Sequence, residues 1–131
     1  MSGDGLFDSA DWQGQWIGSD ALNMNQLRRT FTLPSEAARA TVFYSGVGYS
    51  ELWMDGEKVD PSRVLDPGWT QYYRRCLYVS FGLTQRLTAG PHAVGVVLGD
   101  GTPANHSFCR MGIRRCCHPM SRTVRLASFF N

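Results

Sequence analysis

The sequence predicts an all-β fold, a β-sandwich of jelly-roll type, and three observations predict it. Short stretches alternate apolar and polar residues with a period of two, the pattern of half-buried strands. Turn residues separate these stretches at intervals of about ten positions. No stretch carries sustained helical periodicity, while fourteen glycines and six prolines in 131 residues supply turn chemistry. The chain is long enough to bury a single core without metals or disulfides, so one domain is expected, with five to seven strands.

In "NQLRRTFTLP" the residues Leu27, Phe31 and Leu33 alternate with Arg28, Thr30 and Thr32, and Pro34 ends the strand. "ARATVFYSGVG" reads as a second strand. "YSELWMDGEKV" reads as a third that runs into a hairpin, with Leu52 and Met54 on one face and Tyr49, Glu51 and Trp53 on the other. Asp55-Gly56 supplies the positive φ angles that a two-residue hairpin turn requires. Pro67-Gly68 in "DPGWTQY" marks another turn, after which Leu77, Val79 and Phe81 alternate with Cys76, Tyr78 and Ser80. "GPHAVGVVLGDG" reads as a turn and a buried strand, and "RTVRLASFF" as a possible last strand through Val124, Leu126 and Ser128.

Charge divides the chain near Gly101. Residues 1–101 hold eight Lys/Arg against eleven Asp/Glu, whereas residues 102–131 hold five Arg, no acid and three of the four cysteines. The expected organisation is therefore a β-sandwich over 1–101 and an atypical Arg/Cys-rich tail over 102–131 that contributes one extra strand at most. No apolar run reaches the roughly 20 residues of a membrane-spanning helix. The start, "MSGDGLFDSADWQGQW", has acids where a secretory signal has basic and apolar regions, which makes a cytoplasmic location the default expectation. The tail arginines lack interleaved aromatics, and no nucleic-acid motif, phosphate-cradling loop or nucleophile elbow is present, so neither nucleic acid nor membrane is an expected partner.

Taken together, "WQGQWIG", "LRRTFTLP", "ARATVFYSGVGYSELWMDGEKV" and "LDPGWTQYYRRCLYVSFGLTQRLTAGPHAVGVVLGDG" resemble the N-terminal β-sandwich domain of bacterial α-L-rhamnosidases, the family 78 glycoside hydrolases. The likeness covers about residues 12–101. In that family the catalytic carboxylates belong to a separate helical barrel, of which this chain has nothing, so the resemblance implies an accessory domain without catalysis of its own. The family's usual Trp-Tyr pair after "GDG" is replaced here by "TPANHSFCRMG", which suggests a truncated, frame-shifted product with an unrelated tail. A sandwich left incomplete in this way is expected to be completed by the tail or by a second chain, which makes a homo-oligomer the expected state.

The expected role is carbohydrate binding or scaffold packing, with rhamnose-containing glycans as the partner. The candidate surface is Trp69, Tyr72, Tyr73 and Arg74, with Trp53 and Tyr49 as a second aromatic patch. An indole stacks on the apolar face of a sugar ring, and arginine donates to hydroxyls. The alternative for Trp69 is that it covers the sandwich edge and fixes the "LDPGW" turn, and for the others that they form an ordinary strand face. No cofactor is expected. Rhamnose-binding relatives hold sugar through calcium, but Asp55 alone is far from the six to eight oxygens that ion takes, and Asp60 and Asp66 join it only if their loop folds back. Cys109, Cys116, Cys117 and His118 lack the paired spacing of a zinc site.

An enzymatic alternative is a minimal glycosidase working through surface acids such as Glu51. Glu51 and Asp55 lie about 13 Å apart along one strand, too far for a catalytic pair, whereas Glu51 and Glu57 could meet across the hairpin. A ligand-free, self-associating fragment is the remaining alternative.

Overall fold

A computed structural model describes residues 15–18, 26–71, 74–99 and 123–130, the last segment by its backbone. The described residues form eight strands: β1 Trp16–Gly18, β2 Gln26–Leu33, β3 Ala40–Val47, β4 Ser50–Met54, β5 Glu57–Lys58, β6 Tyr78–Gly82, β7 Gly90–Leu98 and β8 Thr123–Phe130. They form two antiparallel four-stranded sheets, ordered β1-β8-β3-β6 and β2-β7-β4-β5, with no helix among the described residues.

The two sheets pack face to face because each offers one apolar face. Ala40, Val42 and Tyr44 of β3 join Leu52 and Met54 of β4, Val96 and Leu98 of β7, and Leu83 and Leu87 of the β6–β7 connection in one core. Full burial of such a side chain contributes about 1.5–3 kcal/mol, so this cluster accounts for much of the driving force. Tyr44 is fully enclosed, and burial holds its phenol well above the ordinary tyrosine range.

Every alternating stretch read from the sequence forms a strand, and two details differ. Leu77 falls outside β6 and is exposed; its carbonyl accepts a hydrogen bond from Ser45 Oγ at 2.8 Å. The strand begins only at Tyr78, where β3 supplies a partner for its ladder. The unanticipated β1 is three residues long, too short to display a period, and it forms by pairing with β8 across more than a hundred residues of sequence. β8 lies between β1 and β3 and matches β3 from Ala40↔Phe130 to Val47↔Thr123.

At Asp55-Gly56 both residues have positive φ, 52° and 86°, as the hairpin turn demands. At the other end of β4, Ser50 pairs with Asp66 and thereby ties the 59–77 segment to the sheet.

Candidate functional site

A concave feature among the described residues lies on the outer face of the β2-β7-β4-β5 sheet. Because Leu27 and Phe31, Val96 and Leu98, and Leu52 and Met54 turn inward, strand alternation places Arg28 and Thr30, Ala93 and Gly95, and Glu51 and Trp53 outward. A groove of about 820 Å³ follows this face, with Arg28, Thr30, Trp53, Asp55, Ala93 and Gly95 among its lining residues.

Register decides what faces what. Gly95 pairs with Arg28 on one side and with Trp53 on the other, so a strand position without a side chain separates a cation from an indole. Two strand spacings put the Arg28 and Trp53 backbones about 10 Å apart. A Cβ on Gly95 would lie 3.7 Å from Trp53 Cβ and 3.8 Å from the Leu27 carbonyl oxygen, both ordinary contacts. Neither backbone conformation nor crowding therefore demands glycine here; its absent side chain leaves room in the groove. Among the described residues, the Trp53 indole N–H is buried without a hydrogen-bond partner, and the Arg28 side chain has neither ion pair nor hydrogen bond.

Asp55, His92 and Ala93, which line the groove, form a clamp between the hairpin turn and β7. The Asp55 amide donates to the Ala93 carbonyl at 2.8 Å, and the Ala93 amide donates to Asp55 Oδ1 at 2.7 Å. Asp55 Oδ2 lies 2.7 Å from His92 Nδ1, and His92 Nε2 lies 2.8 Å from the Thr88 carbonyl oxygen. Both imidazole nitrogens thus face acceptors, an environment that fits the doubly protonated ring. Accordingly, the hydrogen bond to Asp55 and then that to Thr88 raise the His92 pKa above its ordinary value. The same His92 contact lowers that of Asp55; burial opposes it less strongly, and the Ala93 amide adds a smaller lowering.

The residues singled out in the sequence are dispersed. Trp53 lines the groove, and Tyr49, Trp69 and Arg74 do not. Tyr49 sits at the corner between β3 and β4, where its carbonyl accepts from the Gly99 amide at 2.7 Å and its Cβ packs over Gly99. Trp69 is 64% exposed, so it does not cover the sandwich edge. The turn before it is held instead by Ser50, which donates to the Asp66 carbonyl through N at 2.9 Å and Oγ at 3.2 Å, and by Pro67, buried near Gly46. Arg74 is exposed, with its amide on the Gln71 carbonyl. Tyr72 and Tyr73 lie outside the described residues, as do Cys109, Cys116, Cys117 and His118.

The geometrically possible acid pair is not formed. Glu57 pairs with Met54, whose side chain points inward, whereas Glu51 shares the outward face of Trp53, so the two carboxylates project from opposite faces. Glu51 instead binds Lys58 Nζ at 2.8 Å. The oxygens considered for calcium are also engaged locally: Asp60 accepts from the Ser62 amide and hydroxyl, and Asp66 receives a two-pronged bond from Arg63. No three potential metal ligands cluster among the described residues.

Sequence reasoning missed Arg28, Gly95 and His92 as site residues. Their local signals are an arginine in a strand, a glycine in a strand and a histidine after Gly-Pro; only the pairing of β2, β7 and β4 joins them.

The chain is similar to known proteins over most of its length. A curated α-L-rhamnosidase from Formosa agariphila is 36% identical over 87 residues, 66% of this chain and 9% of that protein. The structure of α-L-rhamnosidase from Dictyoglumus thermophilum superposes with a TM-score of 0.74 at 24% identity over 96% of this chain and 15% of that one, a likeness of fold. That of Streptomyces avermitilis α-L-rhamnosidase complexed with L-rhamnose has a TM-score of 0.60 at 27% identity, over 79% and 10%. The chain thus spans about a tenth of the length of such relatives. The family described as the alpha-L-rhamnosidase N-terminal domain matches residues 35–123, starting later than the quoted motifs and reaching further into the tail. On this match, which takes in β3 to β7, the chain belongs to the alpha-L-rhamnosidase N-terminal domain family.

Proposed function

We propose that this chain is a non-catalytic accessory domain of a rhamnosidase-type glycoside hydrolase, and that its outer sheet face binds carbohydrate. The observation that carries the reading is the groove in which Trp53 stands beside the bare backbone of Gly95. A sugar ring needs an aromatic wall and open space next to it, with polar groups at the margin for its hydroxyls. Family membership supports the accessory role, and the separation of Glu51 from Glu57 leaves that hairpin without the paired carboxylates of glycoside hydrolysis. The Streptomyces relative is described in complex with L-rhamnose, which makes rhamnose-containing glycans the natural first ligands to offer. Trp69, with Arg74 further along its segment, is a separate exposed surface and the competing location.

Isothermal titration of the purified chain with L-rhamnose and rhamnose-containing oligosaccharides tests the proposal. Saturable heat that drops about tenfold in affinity in Trp53→Ala and is unchanged in Trp69→Ala is the expected result, since tenfold corresponds to about 1.4 kcal/mol, the scale of one aromatic contact. Affinity that survives Trp53→Ala and disappears in Trp69→Ala would move the site to the 59–77 segment. Absence of heat with every saccharide would leave scaffold packing as the role.

A further inference from the structure

The charges around the groove are unevenly satisfied. Glu51 and Lys58 neutralise one another at 2.8 Å. Both Asp55 oxygens are taken, by His92 and by the Ala93 amide. Among the described residues, Arg28 is the charged lining residue whose side chain has no partner, and it stands across Gly95 from Trp53. A guanidinium presents a planar fork of donors that matches a carboxylate in bidentate fashion, and such charge-assisted bonds are about twice as strong as neutral ones. The backbone distance of about 10 Å between the two side walls suits a single pyranose ring plus one exocyclic substituent.

We propose that the slot between Arg28 and Trp53 takes a glycan unit bearing a carboxylate, a hexuronate, with Trp53 against the ring and Arg28 on the acid. This inference rests on the carbohydrate-binding reading above and adds the chemical class of the sugar. Gly95 is the specificity element, because any side chain there would intrude between the two walls. The locked state of Asp55 matters equally: a carboxylate already saturated by two donors exerts less repulsion on an incoming acid than a bare one.

The test compares digalacturonate with its dimethyl ester, a neutral ligand of nearly the same shape, by titration calorimetry on the full chain at neutral pH. The acid should bind at least tenfold more tightly than the ester, with an advantage that shrinks as salt rises. Arg28→Gln should bring the acid down to the ester's affinity, Arg28→Lys should retain part of the preference, and Gly95→Val should abolish binding of both while the melting curve remains cooperative. Equal affinity of acid and ester, or a preference that survives Arg28→Gln, overturns the inference; so does tighter binding of a sulfated disaccharide without a carboxylate than of the uronate. If neutral saccharides bind in a Trp53-dependent manner without preference for the acid, the carbohydrate reading stands and the uronate assignment falls. If neither acidic nor neutral saccharides bind, both fall.

Discussion

Replacing Asp55 by asparagine isolates the clamp that joins the β4–β5 turn to β7. Asparagine tolerates the positive φ of 52° at this position, and its carbonyl can still accept from the Ala93 amide, so turn and ladder are retained. What is lost is the ionic hydrogen bond to His92 Nδ1 at 2.7 Å. A hydrogen bond to a charged group contributes about 1.5–3 kcal/mol. The Asp55 side chain is 41% exposed and partly screened by water, which points to the low end, about 1.5 kcal/mol. For a domain of this size that corresponds to a fall in melting temperature of roughly 6 °C.

The pH dependence is the sharper readout. His92 has a raised pKa, so its contribution is complete below the ordinary histidine value of about 6.5 and is lost as pH rises through the higher folded value. Asp55 has a lowered pKa, so its contribution is present above about 4 and is lost as pH falls toward the folded value. The clamp therefore stabilises most between about pH 4 and 6.5. Thermal unfolding followed by circular dichroism at pH 6 and pH 9 should show the wild type well above Asp55→Asn at pH 6 and a narrower gap at pH 9. The chain holds two further histidines, and the difference between the two proteins removes any effect of theirs. An equal gap at both pH values, or a gap below about 0.5 kcal/mol at pH 6, would refute the clamp.

Two packing predictions accompany this one. Leu87 is 1% exposed in the core, and Leu87→Ala should lower stability by about 2–5 kcal/mol, read as a shift of the urea midpoint with an unchanged slope. A Cβ on Gly46 would lie 2.6 Å from Ser50 Oγ, so Gly46→Ala should cost about 1–3 kcal/mol and loosen the Asp66 anchor, and much of the loss should be recovered in Gly46→Ala/Ser50→Ala. Failure of the second change to restore stability in denaturant titrations would mean that the clash lies elsewhere.

Most of the strand inventory was legible in the sequence because strand formation here is a local matter of alternation and turn chemistry. Leu52 and Met54 announce an inner face, and Asp55-Gly56 announces the turn that follows. The ordered motifs from "LRRTFTLP" to "GVVLGDG" were sufficient to indicate the family, and the family match bears this out. Trp53 was legible as a site candidate because an outward tryptophan on a strand stands out by itself. Its neighbours were not. Arg28, Gly95 and Trp53 are separated by dozens of residues, and they become a cation, a gap and an indole in one row only once β2 and β4 have both registered against β7. In the same way His92 meets Asp55 across 37 residues, and Glu51 and Glu57, six residues apart, are sent to opposite faces by the hairpin. Alternation along a strand is written in adjacent residues, whereas register between strands is settled by the burial of whole faces, and that is why the elements were determined by the sequence alone and the site by the tertiary structure.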